Sequence, residues 1–173
     1  MDNKTISGPL APLMDERAVF LAGISGSGKT VISLELARHG FRRLSVDEMI
    51  WDRYGDRFAS MSAEDRQSIF RHVSDEIMTK VAETLRRGER VVVDSTMCKR
   101  FKRDQAREVC RREGVNPVFL YLDVPEQTLR DRLSTRAGSG PNDQIVTPEE
   151  LSRYLSGFEV PAADETDVIR LRN

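Results

Sequence analysis

The stretch Gly23-Ile24-Ser25-Gly26-Ser27-Gly28-Lys29-Thr30 decides the fold of this chain. It follows the apolar run Ala18–Ala22, which predicts a buried strand, and it leads into the helical pattern of residues 31–37. Gly-x-x-x-x-Gly-Lys-Thr between a strand and a helix is the spacing of a phosphate-binding loop. A glycine-rich turn can also join a strand to a helix without binding a ligand. The strand before the turn and the helix after it favour the functional interpretation.

The residue types in this phosphate-binding loop suit a nucleotide triphosphate. Glycines let successive backbone N–H groups turn inward toward an anion, and the helix that begins near Lys29 adds the positive end of its dipole. We predict that the Lys29 ammonium acts in catalysis at the β- and γ-phosphates, and that the Thr30 hydroxyl binds Mg²⁺.

Length and composition restrict the class of protein. A chain of 173 residues with 32% charged and 39% hydrophobic residues is typical of one soluble globular domain. The net charge of -1 gives no overall attraction to nucleic acid or to an anionic membrane, so a nucleic-acid partner would need a local basic patch. No membrane span or signal peptide is expected. Cys98 and Cys110 lack the spacing of a metal or redox site, which favours free thiols in the cytoplasm.

Strand-like and helix-like segments alternate after residue 16, which predicts an α/β domain with a parallel sheet over residues 17–173. Residues 1–16 lack periodicity and are expected to form a flexible leader. Residues 47–60 mix aromatic and charged side chains and are expected to form a partly exposed, concave region. The predicted strands are 18–22, 41–46, 90–94, 118–122 and 168–171, and the surest helix runs from Ser62 to Gly88.

Two acids are expected at the ligand-binding edge of this sheet, because ligands bind beyond the carboxyl ends of parallel strands. Asp94 ends an apolar strand, where a carboxylate can hold Mg²⁺ together with Thr30 or can simply cap the next helix. Asp47 ends the predicted second strand. It is either a general base that accepts the proton of an acceptor hydroxyl, or a helix cap. Ser95 and Thr96 are suited either to position a substrate or to cap a helix.

Three arginines are candidates for contacts with transferred or substrate phosphate. Arg132 and Arg136 are four residues apart, share one helical face and precede the glycine-rich segment 137–143. They can neutralise charge on a transferred phosphoryl group from a lid, or they can form a solvated helix face. Arg103 lies in the basic segment 99–112 that follows Asp94, and we predict that it contacts the substrate.

These residues resemble the P-loop kinases of the nucleoside-kinase-like superfamily, and most closely the branch related to polynucleotide 5′-kinase and zeta-toxin-type kinases. The resemblance implies a three-layer α/β/α P-loop NTPase fold with five parallel strands in the order 2-3-1-4-5, and a helical lid around residues 132–147. It implies ATP with Mg²⁺ as cofactors and a hydroxyl as the phosphate acceptor. The matching segments are residues 23–30, 45–47, 91–96, 103, 132–136, 158–161 and 164–165.

The same resemblance implies roles for single residues. Asp47 matches the general base of the polynucleotide kinase, Arg132 and Arg136 match lid arginines, and Arg53 matches a substrate-side arginine. Residues 136–146 lack the His-Phe pair of gluconate-kinase lids, so we expect an acceptor other than gluconate.

Two functions remain open at this point. The first is a kinase that moves the γ-phosphate of ATP to a hydroxyl of a small molecule or of a nucleic-acid 5′ end. The alternative is a nucleotide-binding switch that acts through a protein partner. Asp47 and the paired arginines favour the kinase. We expect residues 48–61, with Trp51 and Tyr54, to bind the acceptor, whose identity the sequence leaves open together with the oligomeric state.

Overall fold

The computed structural model describes residue 8 and residues 10–172. Within this part of the chain, a short 3₁₀ turn at Ala11–Leu13 precedes an alternation of strands and helices. The strands are β1 (Ala18–Ala22), β2 (Phe41–Ser45), β3 (Arg90–Asp94), β4 (Val118–Asp123) and β5 (Val168–Arg172). The α-helices are α1 (Lys29–Arg38), α2 (Val46–Tyr54), α3 (Arg57–Ser60), α4 (Ala63–Arg86), α5 (Arg100–Arg112), α6 (Glu126–Ser134) and α7 (Pro148–Gly157).

The five strands form one parallel sheet in the order β2-β3-β1-β4-β5. This confirms the strand order that the resemblance implied. Every residue of β1 is buried, as its continuous apolar run predicts for a central strand covered on both faces. The carboxyl ends of the strands therefore meet at one edge, where the phosphate-binding loop leaves β1.

Alternating side chains of the strands fill two separate cores. Phe20 of β1 and Val93 of β3 face Ile77 of α4 on one side of the sheet, and Phe20 stacks on the ring of Phe119. Their sequence neighbours face the other side, where Leu21 packs in the cluster that contains Leu36 of α1. Helices thus cover both faces, which confirms the three-layer architecture.

Residues 47–60, expected to form a partly exposed, concave region, are largely helical. Ser45 caps α2, because its hydroxyl accepts a hydrogen bond from the Glu48 N–H at 3.4 Å. The side chain of Ile50 is almost fully buried against α4, so packing favours the helix where the sequence pattern is weak. Asp47 consequently lies in the first turn of α2 and does not end β2 as predicted.

Part of the segment expected to be a flexible leader is packed. Leu13 is fully buried in the same core cluster as Leu36, and Leu10 and Met14 pack beside it. Arg90 donates a hydrogen bond of 2.7 Å to the Met14 carbonyl, which fixes the turn to β3. Residues 1–7 and 9 of the expected leader lie outside the described residues.

Candidate active site

The phosphate-binding loop approaches its neighbours so closely that glycine is required at its first position. The Gly23 N–H donates to the Thr96 carbonyl at 3.1 Å, which links the loop to the segment after β3. A Cβ atom on Gly23 would lie 2.8 Å from Ser27 Oγ and 3.2 Å from the Leu122 carbonyl oxygen. Gly23 also has a φ of 150°, in the region that favours glycine.

Buried polar groups in this loop are suited to an anionic ligand. Ser27 Oγ is the buried side-chain polar atom for which the described residues supply no hydrogen-bond partner. Lys29 Nζ donates to the Ile24 carbonyl at 3.0 Å, so the ammonium folds back over the loop. Burial lowers the pKa of Lys29, and the carboxylates of Asp94 and Asp47 oppose this shift. Phosphate oxygens would satisfy both of these groups.

Asp94 is held at the end of β3 by a network that the sequence did not reveal. Its Oδ2 atom accepts hydrogen bonds from Ser33 Oγ and from Arg43 Nη2, both at 3.0 Å. Arg43 also donates to Ser33 Oγ at 2.6 Å and to Glu48 Oε2 at 2.6 Å. The register of the sheet sets Arg43 opposite Val92, two residues before Asp94, and this pairing can be known only once the strand order is known.

The oxygen atoms near the loop fit a magnesium ion that is bound mainly by nucleotide phosphates and water. Mg²⁺ is commonly held by one or two protein oxygens together with substrate phosphates. The Asp94 carboxylate and the Thr30 hydroxyl provide such oxygens. Among the described residues, no group of three or more His, Cys, Asp or Glu side chains could hold a metal by itself. The arrangement is therefore unlike a dedicated all-protein metal cage.

Asp47 lies in the same cleft as the phosphate-binding loop. Asp47 is exposed to solvent as a residue, although protein atoms surround its carboxyl group. Reduced solvation raises the pKa of the Asp47 carboxyl to about 6, and nearby Asp94 and Glu48 act in the same direction. The positive charges of Lys29 and Arg136 oppose the rise. An acid, the loop lysine and a lid arginine are thus brought together.

Both predicted lid arginines reach the phosphate-binding loop. Arg132 of α6 donates to the Gly26 carbonyl at 3.2 Å. Arg136, just after α6, donates to Ser25 Oγ at 3.1 Å and to the Gln144 carbonyl at 3.2 Å. Desolvation lowers the pKa of Arg136. The segment that follows α6 is therefore closed over the loop.

A residue of this lid that sequence reasoning missed spans the cleft. Asn142 Oδ1 accepts a hydrogen bond from Thr30 Oγ1 at 3.3 Å, and Asn142 Nδ2 donates to Glu48 Oε1 at 3.0 Å. The side chain thus connects the start of α1 with the start of α2. Its position in a segment rich in glycine and polar residues gave no sign of this contact.

Arg53 and Arg103 form contacts within the protein. Arg53 Nη2 donates to both carboxylate oxygens of Glu76 at 2.8 and 2.7 Å, which ties α2 to α4. Arg103 was predicted to contact the substrate, but its side chain is fully buried and forms a two-point ion pair with Glu165 at 2.7 Å. The structure therefore gives Arg103 a structural position inside the domain.

Arg103 contacts the backbone of the segment that runs beside the cleft. Its Nη1 atom donates to the Met97 carbonyl at 2.9 Å. Met97 has a φ of 43°, the only positive φ of a non-glycine residue in the described part of the chain. Backbone held in this sparsely populated region is stable only where its surroundings fix it. Arg103 is thus part of the support for the segment between Asp94 and α5.

A cavity of about 160 Å³ opens beside that segment, between α4 and α5. Its apolar lining comes from Val46, Phe70, Ile77, Met78, Val93 and Met97. Polar side chains at the cavity are those of Gln67, Arg71, Ser74, Ser95, Thr96, Lys102 and Gln105, and Cys98 also lines it. Trp51 and Tyr54, expected to bind the acceptor, do not line this cavity. Tyr54 instead packs against Phe58, which in turn packs against Phe70.

Comparison with protein families identifies the domain. A family model described as "AAA domain" matches residues 19–161. The chain belongs to this family. Its fold is that of P-loop kinases, which confirms the resemblance drawn from the sequence. A search of curated proteins found no match. In the described residues, no helix combines the length and the apolar character required to cross a bilayer.

Solved structures share this fold across most of their length. A gluconokinase from Sinorhizobium meliloti 1021 has a TM-score of 0.62 and 22% identity, covering 90% of this chain and 81% of its own. A putative kinase from Chloroflexus aurantiacus j-10-fl has a TM-score of 0.70 and 16% identity, with coverage of 91% and 88%. The Mycobacterium tuberculosis APS kinase CysC, solved with AMPPNP and APS, has a TM-score of 0.54 and 22% identity, with coverage of 91% and 88%.

Proposed function

We propose that the protein is a kinase that uses ATP and Mg²⁺ to phosphorylate a hydroxyl group of an acceptor. The observation that carries the proposal is the convergence of Asp47 with Lys29 of the loop and Arg136 of the lid in one cleft. A protein that only binds or hydrolyses a nucleotide does not require a carboxylate such as Asp47 to accept the proton of an acceptor hydroxyl. The fold shared with a gluconokinase and an APS kinase supports the reaction class, whereas the acceptor has to be argued from the site itself.

Each group in the cleft has a role in this reaction. The acceptor oxygen attacks the γ-phosphorus of ATP, its proton passes to the Asp47 carboxylate, and the bond to the β-phosphate oxygen breaks to release ADP. Lys29, Arg132 and Arg136 are placed to stabilise the negative charge on the transferred group. Thr30 and Asp94 would hold Mg²⁺, which supplies further neutralisation of phosphate charge when bound.

The cellular setting follows from the donor and the thiols. ATP as donor and two free cysteines, Cys98 and Cys110, are consistent with a reducing cytoplasm, which we include in the proposal. The partners proposed are ATP and a hydroxyl-bearing small molecule or nucleic-acid end. A nucleotide-binding switch is the alternative, and it differs from a kinase in showing no stimulation of ATP turnover by any alcohol.

Replacement of Asp47 by Asn tests the proposal. Acceptor-dependent ADP formation should fall by about 10²–10⁴-fold, since a general base contributes that much, while the affinity for ATP stays the same. Asp52→Asn is the matched control, because Asp52 is an exposed acid on the same helix. Equal rates in the Asp47→Asn variant and in the unaltered protein would exclude Asp47 as the base.

Replacement of Lys29 by Ala tests the nucleotide site independently of the acceptor. We expect loss of ATP binding or turnover in a protein that remains folded, measured by calorimetric titration with ATP and by circular dichroism. Unchanged nucleotide affinity and turnover in this variant would contradict the assignment of the phosphate-binding loop. If no alcohol stimulates ATP turnover by the unaltered protein, the result would favour the nucleotide-binding switch.

A further inference from the structure

The cavity between α4 and α5 is lined in part by residues that are next in sequence to both acids of the candidate active site. Val46 lines the cavity, and the next residue is Asp47. Ser95 and Thr96 line it as well, and they directly follow Asp94. An acceptor that extends out of the cavity past Val46 or Ser95 would therefore approach the groups proposed to perform the transfer.

The inner lining of this cavity favours an apolar group over a sugar-like one. Side chains of Phe70, Ile77, Met78 and Met97 offer no hydrogen bonds of ordinary strength. Hydroxyls buried against them would lose water without gaining partners, which is unfavourable. The volume of about 160 Å³ is close to the size of an apolar cavity that accepts benzene. One ring or a short branched chain therefore matches the space.

Two cations at the cavity have no carboxylate partner among the described residues. Arg71 of α4 and Lys102 of α5 line the cavity, and neither takes part in an ion pair there. The contrast within α5 is informative, because the arginines of that helix all pair with acids. The Lys102 ammonium has a long contact of 3.5 Å with Gln105 Oε1 and lies 5.5 Å from the centroid of the Phe101 ring, and neither partner is charged. An anionic group on a ligand would supply the missing partner for both cations.

We propose that this cavity binds the phosphate acceptor, and that the acceptor is an alcohol combining an apolar body about the size of one aromatic ring with an anionic group. The inference rests on the kinase function proposed above and adds the chemical class of its substrate. The apolar body lies among Phe70, Ile77, Met78 and Met97. The anionic group lies between Arg71 and Lys102, and the hydroxyl points toward Asp47.

Three alcohols test the apolar body and the anionic group of the proposed acceptor independently of each other. Hydroxymethylbenzoate carries a ring, a carboxylate and a primary hydroxyl, gluconate carries the carboxylate and hydroxyl without the ring, and benzyl alcohol carries the ring and hydroxyl without the carboxylate. We expect the rate of ADP formation per unit concentration to be highest with hydroxymethylbenzoate. Benzyl alcohol should be weaker by about tenfold, in line with the loss of charged hydrogen bonds.

Binding can be followed without catalysis through Cys98, whose thiol lines the cavity. Iodoacetamide labelling, followed by mass spectrometry, should slow when hydroxymethylbenzoate is present and should not slow with gluconate. Cys110 is an internal reference, because it is buried and burial raises the pKa of its thiol to about 12, which keeps it unreactive. A Cys98→Ser variant confirms which thiol is labelled.

Variants at the two cations complete the test. Arg71→Ala and Lys102→Ala should each weaken protection by hydroxymethylbenzoate about tenfold, while leaving protection by benzyl alcohol and the affinity for ATP unchanged. Arg112→Ala, at an exposed arginine of α5, is the matched control. The inference is overturned if gluconate protects Cys98 as well as hydroxymethylbenzoate does, or if no compound protects it.

The outcomes distinguish this inference from the proposed function. If a polyol drives ADP formation that depends on Asp47, the kinase proposal stands and the acceptor class is wrong. If hydroxymethylbenzoate protects Cys98 selectively but no alcohol accelerates ADP formation, the ligand class of the cavity is supported and the kinase proposal fails.

Discussion

Arg43 is the residue on which the arrangement of acids in the candidate site depends most directly. It connects Asp94, Glu48 and Ser33 through hydrogen bonds of 2.6–3.0 Å, and its side chain is only 11% exposed. A buried carboxylate that loses its cationic partner is strongly unfavourable, because neither water nor another charge replaces the lost interaction. Arg43 therefore holds the Asp94 side chain in the position proposed for Mg²⁺ binding.

We predict that Arg43→Met lowers the free energy of unfolding by about 3 kcal/mol, since it leaves the Asp94 charge buried and poorly compensated. Urea unfolding followed by circular dichroism measures the change. Arg42→Met is the matched control on the same strand, because Arg42 pairs with Glu89 at the exposed surface and should cost less than about 1 kcal/mol. Equal losses in the two variants would contradict the role given to Arg43.

The raised pKa of Asp47 predicts the pH dependence of the reaction. With a pKa of about 6 the base is ionised at neutral pH, so kcat/KM for the acceptor should fall about tenfold per pH unit below pH ~6. The pKa is raised above the ordinary value of 3.8, so protonation of Asp47 favours the folded state as the pH falls from about 6 to 4. Circular dichroism at pH 5 should therefore show folded protein despite low activity. A rate constant that is flat from pH 7 to pH 5 would contradict a pKa of about 6 for the base.

At the scale of elements, the lid is a short segment shaped by one carboxylate. Asp143 Oδ2 accepts hydrogen bonds from the Ala137 N–H at 3.2 Å and from the Ser139 N–H and hydroxyl at 3.0 and 2.7 Å. The Gly138 N–H also donates to the Asp143 carbonyl at 2.9 Å. This turn fixes the backbone that follows Arg136, so the loop contacts of that arginine depend on Asp143.

We predict that Asp143→Ala releases the turn and reduces kcat by about tenfold to a hundredfold, because catalytic groups displaced by even 1 Å lose much of their effect. Amide hydrogen exchange over residues 137–139 should become faster, as measured by mass spectrometry. Asp131→Ala is the control, since Asp131 is exposed on α6 and accepts only from Gln127. Unchanged exchange and unchanged kcat in Asp143→Ala would show that the lid is held by other contacts.

At the scale of the whole molecule, a buried ion pair joins α5 to the segment before β5. Arg103 and Glu165 are each about 1% exposed at the side chain, and Arg107 also donates to Glu165 at 2.8 Å. The hydrogen bond from Arg103 is the main reason that the pKa of Glu165 is lowered to about 2. This carboxylate therefore connects parts of the domain that are 62 residues apart in sequence.

We predict that Glu165→Ala lowers the free energy of unfolding by about 3–5 kcal/mol at neutral pH, because Arg103 is left buried without its partner. The difference from the unaltered protein should narrow as the pH falls from about 4.5 toward 2, since a carboxylate with a lowered pKa loses its stabilising effect over that range. Denaturant unfolding at several pH values measures both effects. Asp164→Ala is the control, because Asp164 pairs with Arg100 at the surface and its loss should have a much smaller effect.

Local sequence patterns were sufficient to predict those elements whose structure depends on a few neighbouring residues. The continuous apolar run Ala18–Ala22 predicted the central strand because both of its faces are covered. Thr147-Pro148-Glu149-Glu150 is a sequence typical of a helix start, and the Thr147 side chain forms a capping box with Glu150. The glycines and Lys29 of the phosphate-binding loop define a backbone shape that few other sequences adopt.

Contacts between distant segments explain what the sequence could not predict. Arg103 and Lys102 are neighbours in one basic helix, yet only Arg103 meets a buried acid, 62 residues away. The cavity between α4 and α5 lies where no local pattern indicates one, and the binding of the acceptor by residues 48–61 stays a prediction. Both outcomes depend on how helices pack on the sheet, and no local pattern encodes that packing.

The turn that buries Leu13 has a practical consequence for anyone who moves this P-loop domain into another protein. The family match starts at residue 19 and stops at residue 161, which leaves out Leu13, Glu165 and the whole of β5. Each omitted part fills a core or neutralises a buried charge. The residues that pack together in this domain therefore extend beyond residues 19–161, which the family model matches. A chimeric protein that contains only residues 19–161 would lack these stabilising parts, whereas one that contains residues 10–172 keeps them.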